Sequence, residues 1–177
     1  MLTLNDLLPR IKDFASEISS NYLIRVYHEP DNEARPSCCF QNVWTKVKKD
    51  GGEILFGWTF SYLVNSEYGG YLVATHHAVW RTSEDQVLDV TPFHANRNHH
   101  PIGWDNYVVF LPDESAQPFK AEGLIAPLPL KFFAFSENQE LRKYVKKMTE
   151  EEQKACQEIY KGKYNTNQIS DTLFYKD

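Results

Sequence analysis

Three residue types that support nucleophilic acyl chemistry occur in the order Cys39, His77 and Asp89. A thiol reacts as its thiolate, and the start of a helix commonly lowers a cysteine pKa because unpaired N–H groups and the helix dipole favour negative charge there. The sequence predicts Cys39 in the first turn of a helix. The alternative interpretation is that Cys38 and Cys39 are small buried hydrophobic residues.

His77 and Asp89 flank a predicted hairpin turn, RTSED. With the turn centred on Ser83, His77 lies directly opposite Asp89, and directly opposed residues share one sheet face with Cβ atoms about 4.5–5.5 Å apart. Asp89 then accepts a hydrogen bond from one imidazole nitrogen and leaves the other free, which is the role of the third member of a catalytic triad. The alternative is a His–Asp pair that only holds the hairpin together.

His76 competes with His77 for the role of the base. Because successive side chains of a strand point to opposite faces, only one of the two histidines faces Asp89. His76 pairs with Val90 in the predicted register, where no acid is available. We therefore favour His77. A slip of one residue in the hairpin would put His77 and Asp89 on opposite faces of the sheet.

Two helices are predicted before the central strands. Residues 5–20 carry apolar side chains at helical spacing, with Asn5 as the N-cap and Pro9 near the first turn, where its missing N–H costs little. The second helix has Ser37 as its predicted N-cap and ends at Gly51-Gly52. This pattern positions Cys39 at the beginning of the second helix.

The middle of the chain is predicted to be antiparallel sheet, because it holds four segments rich in β-branched and aromatic residues: EILFGWTFSYLV, YLVATHHAVW, QVLDVTP and NYVVFLP. Ser136 is the predicted cap of a helix to about Met148, and Thr149 opens another to about Gly162. Helices, a β-meander and further helices indicate the α+β class. One catalytic-type domain over residues 1–162 and a polar tail over residues 163–177 are predicted.

The order and spacing of these residues resemble the papain-like and transglutaminase-like cysteine enzymes, including the arylamine N-acetyltransferases. HAVW and LDVTP, at residues 77–80 and 88–92, are similar to the histidine and aspartate strands of the transglutaminase-like core. The wider set resembles a group of bacterial and phage proteins and covers residues 38–113. Its motifs are CFQNV, Gly51-Gly52, Gly57-Trp58, HAVW, LDVTP and FLPD.

The resemblance implies a nucleophile helix packed on an antiparallel sheet, followed by C-terminal helices. It also implies that Cys39 attacks a carbonyl, that His77 moves the proton, and that Asp89 orients His77. Hydrolysis, deamidation and acyl transfer are all consistent with this triad. For the oxyanion, the N–H of Cys39 is one candidate donor, and Asn32 or Gln41 is the second.

Other side chains are weaker candidates. Trp58 and Trp104 are expected either to line the cleft or to lie in the core. A zinc site is a further alternative, because histidines cluster at 76, 77, 94, 99 and 100, although no zinc-binding spacing accompanies them. The third alternative is a non-catalytic binding module on the same fold.

Composition excludes several classes of protein. Apolar residues make up 42% of the 177 residues and aromatic residues 14%, which is too much for disorder throughout. A formal charge of −5 has the wrong sign for general attraction to nucleic acid or anionic lipid. No apolar run predicts a membrane span, and charges at positions 6, 10, 12 and 13 argue against a secretory signal.

The cysteines and the cofactor motifs bear on the cellular compartment and on bound cofactors. Three cysteines, two of them adjacent, do not suggest a disulfide scaffold, so a reducing cytoplasmic compartment is predicted, with export without a cleaved signal left open. Walker A and GxGxxG motifs are missing, so no cofactor is expected. The expected partner is a protein or peptide substrate, or a small acyl substrate.

Overall fold

Helices lie against a curved β-sheet in this chain, which confirms the predicted α+β class. The computed structural model describes residues 2–94, 100–121 and 124–160. No helix among these residues is both long and apolar enough to cross a membrane. The elements are α1 (Leu4–Ile18), β1 (Ile24–His28), α2 (Cys39–Asp50), β2 (Glu53–Asn65), β3 (Gly69–Arg81), β4 (Val87–Asp89), β5 (Gly103–Trp104), β6 (Tyr107–Pro112), β7 (Phe119–Ala121), β8 (Leu124–Ala126), β9 (Lys131–Phe133) and α3 (Gln139–Tyr160).

Five strands close into a small barrel in the order β1, β4, β3, β2 and β6, because β6 also pairs with β1. The long β2–β3 hairpin forms most of the wall. The four predicted strand segments pair antiparallel with one another, as β2–β3, β3–β4 and β2–β6. Strand β1 is not among these predicted segments, and it joins the sheet through a parallel pair with β4. Apolar side chains from four strands form the cluster within the barrel: Val26, Leu55, Val79, Val108 and Phe110.

Helix α1 packs on the outside of the barrel through its apolar side. Its N-cap is Thr3 rather than the predicted Asn5, because Thr3 and Asp6 form a reciprocal capping box. The contact between α1 and the barrel joins Leu7, Ile11, Phe14 and Ala15 to Trp58, Phe60 and Leu72.

A gap in the pairing of β3 determines where α2 begins. One edge of β3 pairs with β2 throughout, whereas the other edge pairs with β9 at residues 72–74 and with β4 at residues 80–81. Among the described strands, none pairs with residues 75–79 on that second edge. Cys39 packs here against Ala78 of β3 and Val90, which follows β4. The first residue of α2 therefore reaches the sheet next to His77.

Helix α3 is continuous, so the prediction of two helices after residue 136 is wrong. Asn138 caps it instead of Ser136, because its side-chain oxygen accepts hydrogen bonds from N–H groups of the first turn. Thr149 does not open a new helix, since its hydroxyl donates to the carbonyl oxygen of Val145 one turn earlier. The predicted end at Gly162 and the predicted tail over residues 163–177 lie outside the described residues.

Candidate active site

His77 and Asp89 are hydrogen-bonded through their side chains. Nε2 of His77 lies 3.0 Å from Oδ2 of Asp89, while Oδ1 of Asp89 accepts the N–H of Thr91 at 3.0 Å. Asp89 is only 1% exposed. Because both carboxylate oxygens are engaged, Asp89 is held in one orientation and fixes the direction of the His77 ring.

The hairpin that brings His77 and Asp89 together has a different register from the predicted one. Residue 81 pairs with residue 87 and residue 80 with residue 88, so this register continues to Val79, not His77, opposite Asp89. The turn is displaced because Asp85 takes the left-handed conformation at φ 64°. A displacement of two residues keeps both side chains on one face, where diagonal neighbours still reach each other.

Cys39 is the first residue of α2, although the predicted Ser37 cap is wrong. Cys38 occupies the N-cap position without a side-chain hydrogen bond, and Ser37 has the left-handed backbone at φ 63°. The first N–H groups of α2 have no carbonyl partner within the helix and point towards its start. Cys38 is exposed, whereas Cys39 is 8% exposed.

The surroundings of His77 favour its charged form. Burial lowers the pKa of His77, but the interactions with Asp89 and Cys39 outweigh it, so that the pKa is raised well above 6.5. Since Nε2 bonds with Asp89, Nδ1 is the ring nitrogen that remains for the Cys39 sulfur. The imidazole therefore stands between a carboxylate and a thiol.

His76 is held by the backbone on the opposite face of β3. Its Nε2 donates to the carbonyl oxygen of Ala116 at 2.7 Å, and its Nδ1 accepts the N–H of Leu128 at 2.8 Å. The ring packs against Phe40 and Trp58, and burial lowers the pKa of His76 to about 4. With both nitrogens occupied, His76 has none left for proton transfer.

Asn42 connects the nucleophile to the acid, and sequence reasoning missed it. Its side-chain oxygen accepts the N–H of Arg35 at 3.0 Å, and its Nδ2 donates to the carbonyl oxygen of Arg35 at 2.8 Å. The same Nδ2 lies 3.2 Å from Oγ1 of Thr91. Asn42 therefore holds the turn before Cys39 against the segment after Asp89. The one sequence signal is an asparagine on the buried side of the helix, one turn after the cysteine.

A cleft of about 590 Å³ opens beside Cys39 and His77. One wall is the start of α2 and the opposite wall is the C-terminal half of α3. The hydroxyl-bearing side chains of Thr59, Ser61 and Thr75 line it between the walls. Thr59 and Ser61 are 3% and 5% exposed, and within the described part of the chain no group hydrogen-bonds with their hydroxyls. The cleft thus holds polar groups that a bound molecule would satisfy.

The weaker candidates of the sequence analysis lie in different places. Gln41 lines the cleft, but its amide contacts Thr45 of the same helix at 3.4 Å. Asn32 is exposed and lines a separate pocket beside Lys46. Trp58 is 2% exposed in the core, where Nε1 donates to Asp113 at 3.0 Å. Trp104 packs at the margin of the same core, against Arg25.

The histidine cluster is only partly described. His94 and His100 line the cleft, and His99 lies outside the described residues. The ring of His28 stacks on Phe93 with centroids 3.8 Å apart. Over the described segments, no group of three or more histidine, cysteine, aspartate or glutamate side chains has an arrangement that would hold a metal ion.

Comparison of the chain with protein-family models, with curated proteins and with solved structures gives no significant match.

Proposed function

We propose that this protein performs cysteine-dependent acyl chemistry with Cys39 as nucleophile, His77 as acid and base, and Asp89 as the residue that orients His77. The observation that carries the proposal is the hydrogen bond between Nε2 of His77 and Asp89, which leaves Nδ1 for Cys39. Three side chains remote in sequence meet at one cleft in the order that nucleophilic catalysis requires. The proposed substrate is an amide, ester or thioester of a protein, a peptide or a small molecule.

In the proposed reaction the Cys39 thiolate attacks the carbonyl carbon and forms a carbon–sulfur bond. The resulting oxyanion is stabilised by N–H groups at the start of α2, which lack partners within the helix. His77 then gives its Nδ1 proton to the leaving group as the tetrahedral intermediate collapses to a thioester. Water or an amine attacks the thioester, His77 takes up a proton from it, and the acyl group leaves with Cys39 regenerated.

Likeness to papain-like and transglutaminase-like enzymes is part of this proposal. It is supported by the order Cys39, His77, Asp89, by the position of the cysteine at a helix start, and by the sheet that carries the other two residues. Hydrolysis, deamidation and transfer differ only in the leaving group and the acceptor, so they share this machinery.

The experiment measures acylation and alkylation of Cys39 in a C38S/C156S background, where it is the only thiol. We expect iodoacetamide at pH 6 to react faster with the folded protein than with the same protein unfolded in urea. We also expect p-nitrophenyl acetate to add one acetyl group that water later removes. The matched variant, which adds C39S, forms neither adduct.

A binding module without catalysis is the second candidate, and the low exposure of Cys39, at 8%, favours it. A folded protein whose Cys39 reacts more slowly than in urea, and which accepts no acetyl group, would support this alternative and refute the enzyme.

A further inference from the structure

Helix α3 carries an acidic residue on its otherwise apolar inward side. Leu141, Val145 and Met148 of this helix pack with Tyr71 and Val73 of β3. Glu152 follows Met148 by four residues and therefore continues the same stripe along the helix. Glu152 and Cys156, one turn further, line the cleft that holds Cys39 and His77. A carboxylate thus stands where the helix pattern would place an apolar side chain.

Glu152 differs from its neighbours in having no cation beside it. Glu150 and Glu151 each lie near a lysine four residues earlier, and their side chains are well exposed. The residue four before Glu152 is Met148, and among the described residues no lysine or arginine forms an ion pair with Glu152. The described lining of the cleft contains no lysine or arginine either. Among the described residues, no lysine or arginine is therefore paired with this negative charge.

The carboxylate of Glu152 is fixed in position near the proposed nucleophile. Its Oε1 accepts the N–H of Leu130 at 3.1 Å, immediately before β9. Leu130 directly precedes Lys131, which pairs with Ala74 of β3, and Leu130 and Thr75 both line the cleft. Thr75 lies two residues from His77 on the same face of β3, about 7 Å along the strand.

Two further features of the cleft fit a charged polar ligand. Thr59 and Ser61 are 3% and 5% exposed as residues, and their hydroxyl-bearing side chains line the cleft. Burial raises the pKa of the Cys156 thiol, and the nearby Glu152 carboxylate raises it further. The potential beside Glu152 is therefore negative, and the floor of the cleft offers hydrogen bonds.

We propose that the cleft selects substrates that carry a cationic side chain, an ammonium or guanidinium group, in addition to the carbonyl that Cys39 attacks. Glu152 binds the cationic group. The hydroxyls of Thr59, Ser61 and Thr75 hydrogen-bond with polar atoms of the substrate near that group. This inference rests on the proposed function, since it names the substrate class of the same cleft.

The test compares the rates at which charged reagents modify Cys39 in the C38S/C156S background. In each reagent the thiolate attacks the sulfenyl sulfur, a mixed disulfide forms and methanesulfinate leaves. The cationic probe is 2-aminoethyl methanethiosulfonate and the neutral probe is methyl methanethiosulfonate. We expect E152Q, whose amide oxygen still accepts from Leu130, to lower the cationic-to-neutral rate ratio by about threefold or more, because it removes the Coulomb attraction between two unit charges in the cleft.

The matched control is E151Q, which removes the same charge from the exposed side of the same helix. We expect it to change the ratio by less than about twofold because solvent screens that position. Equal effects of E151Q and E152Q, or no effect of E152Q, would overturn the inference. The neutral reagent tests the enzyme separately: if it modifies folded Cys39 no faster than unfolded Cys39, the proposed function fails whatever the ratio shows.

Discussion

His76 and His77 are neighbours on one strand, yet they have opposite surroundings. His76 lies among aromatic rings with both nitrogens bonded to the backbone, at Ala116 and Leu128. His77 faces the cleft, with one nitrogen on Asp89 and the other towards Cys39. Burial outweighs the nearby Asp113 carboxylate and lowers the pKa of His76 to about 4, whereas Asp89 and Cys39 hold the pKa of His77 well above 6.5.

The difference arises from the two-residue period of the strand, which sends consecutive side chains to opposite faces. One face is covered by α1 and α2, and water is excluded from it. At His77 the other face opens into the cleft, where Asp89 and Cys39 lie beside the ring. Because their partners differ, His76 has a structural role and His77 the proposed chemical role. Glutamine substitutions at the two positions distinguish these roles.

The largest effect is expected on stability. We expect His76→Gln to lower the free energy of unfolding by about 3 kcal/mol, because it loses ring contacts with Phe40 and Trp58 and at least one buried hydrogen bond. His77→Gln retains a donor for Asp89 and is expected to lose less than about 1.5 kcal/mol. Urea unfolding at pH 7.5 measures both values, and equal losses would contradict the assigned roles.

The second effect is on the reactivity of Cys39. An ordinary thiol with a pKa of about 8.5 is under about 1% thiolate at pH 6. If imidazolium at His77 holds the thiolate, His77→Gln should slow alkylation at pH 6 by up to about a hundredfold. His76→Gln should stay within about threefold of the parent, because its ring faces away from the thiol. Iodoacetamide kinetics in the C38S/C156S background give both rates, and similar slowing by the two variants would refute the comparison.

The third effect is a pH dependence with opposite signs for the two histidines. The pKa of His76 is 6.5 in the unfolded chain and about 4 in the folded protein, so the unfolded chain takes up the proton first as the pH falls. His76 therefore lowers the free energy of unfolding between these two pKa values, by about 2 kcal/mol at pH 5. His77 has a raised pKa, so its stabilising contribution is complete below 6.5 and is lost as pH rises through its folded value. Urea unfolding from pH 7.5 to 5 should show that His76→Gln removes the acid-side loss. A parallel pH profile in the variant would contradict this.

The sequence predicts those features of the site that neighbouring residues determine. Strand alternation together with the predicted turn places His77 and Asp89 on one face. The prediction survived a two-residue error in register because an even shift preserves the face. The position of Cys39 at a helix start follows from local spacing. The turn itself was mispredicted, since nothing in RTSED shows that Asp85 takes a left-handed conformation.

Contacts between segments that are distant in the chain could not be predicted from the sequence. Asn42 reaches Thr91, 49 residues away, and no periodicity reveals that contact. The break predicted at Thr149 followed a local capping pattern, but packing of α3 on β3 keeps that helix intact. The position of Glu152 in the apolar stripe of α3 could be recognised only from the structure, because the sequence predicted two helices where there is one.

Removal of the Asp89 charge should have a smaller effect than loss of His77. Asp89→Asn keeps a side chain of the same shape but no longer favours the imidazolium, so the ion pair with Cys39 forms less often. We expect alkylation of Cys39 at pH 6 to slow by about tenfold. The pH profile of alkylation should also move towards that of an ordinary thiol. An unchanged profile would assign Asp89 to holding the hairpin alone.

The smallest effect tests Asn42, which acts on position rather than charge. Asn42→Ala removes the two hydrogen bonds to Arg35 and the contact with Thr91, so the turn before Cys39 is less firmly held against the acid segment. We expect alkylation to slow by about threefold, with about 1 kcal/mol lost from stability.

The shape of the pH profile separates Asn42 from Asp89. Because Asn42→Ala leaves the charges around His77 unchanged, it should lower the alkylation rate by the same factor at every pH, whereas Asp89→Asn alters the profile itself. Thr45→Ala is the matched control, since among the described residues its hydroxyl bonds with Gln41 of the same helix and Thr45 does not line the cleft. If the control slows alkylation as much as Asn42→Ala does, general loosening of α2 explains the effect, and Asn42 has no specific role in positioning Cys39.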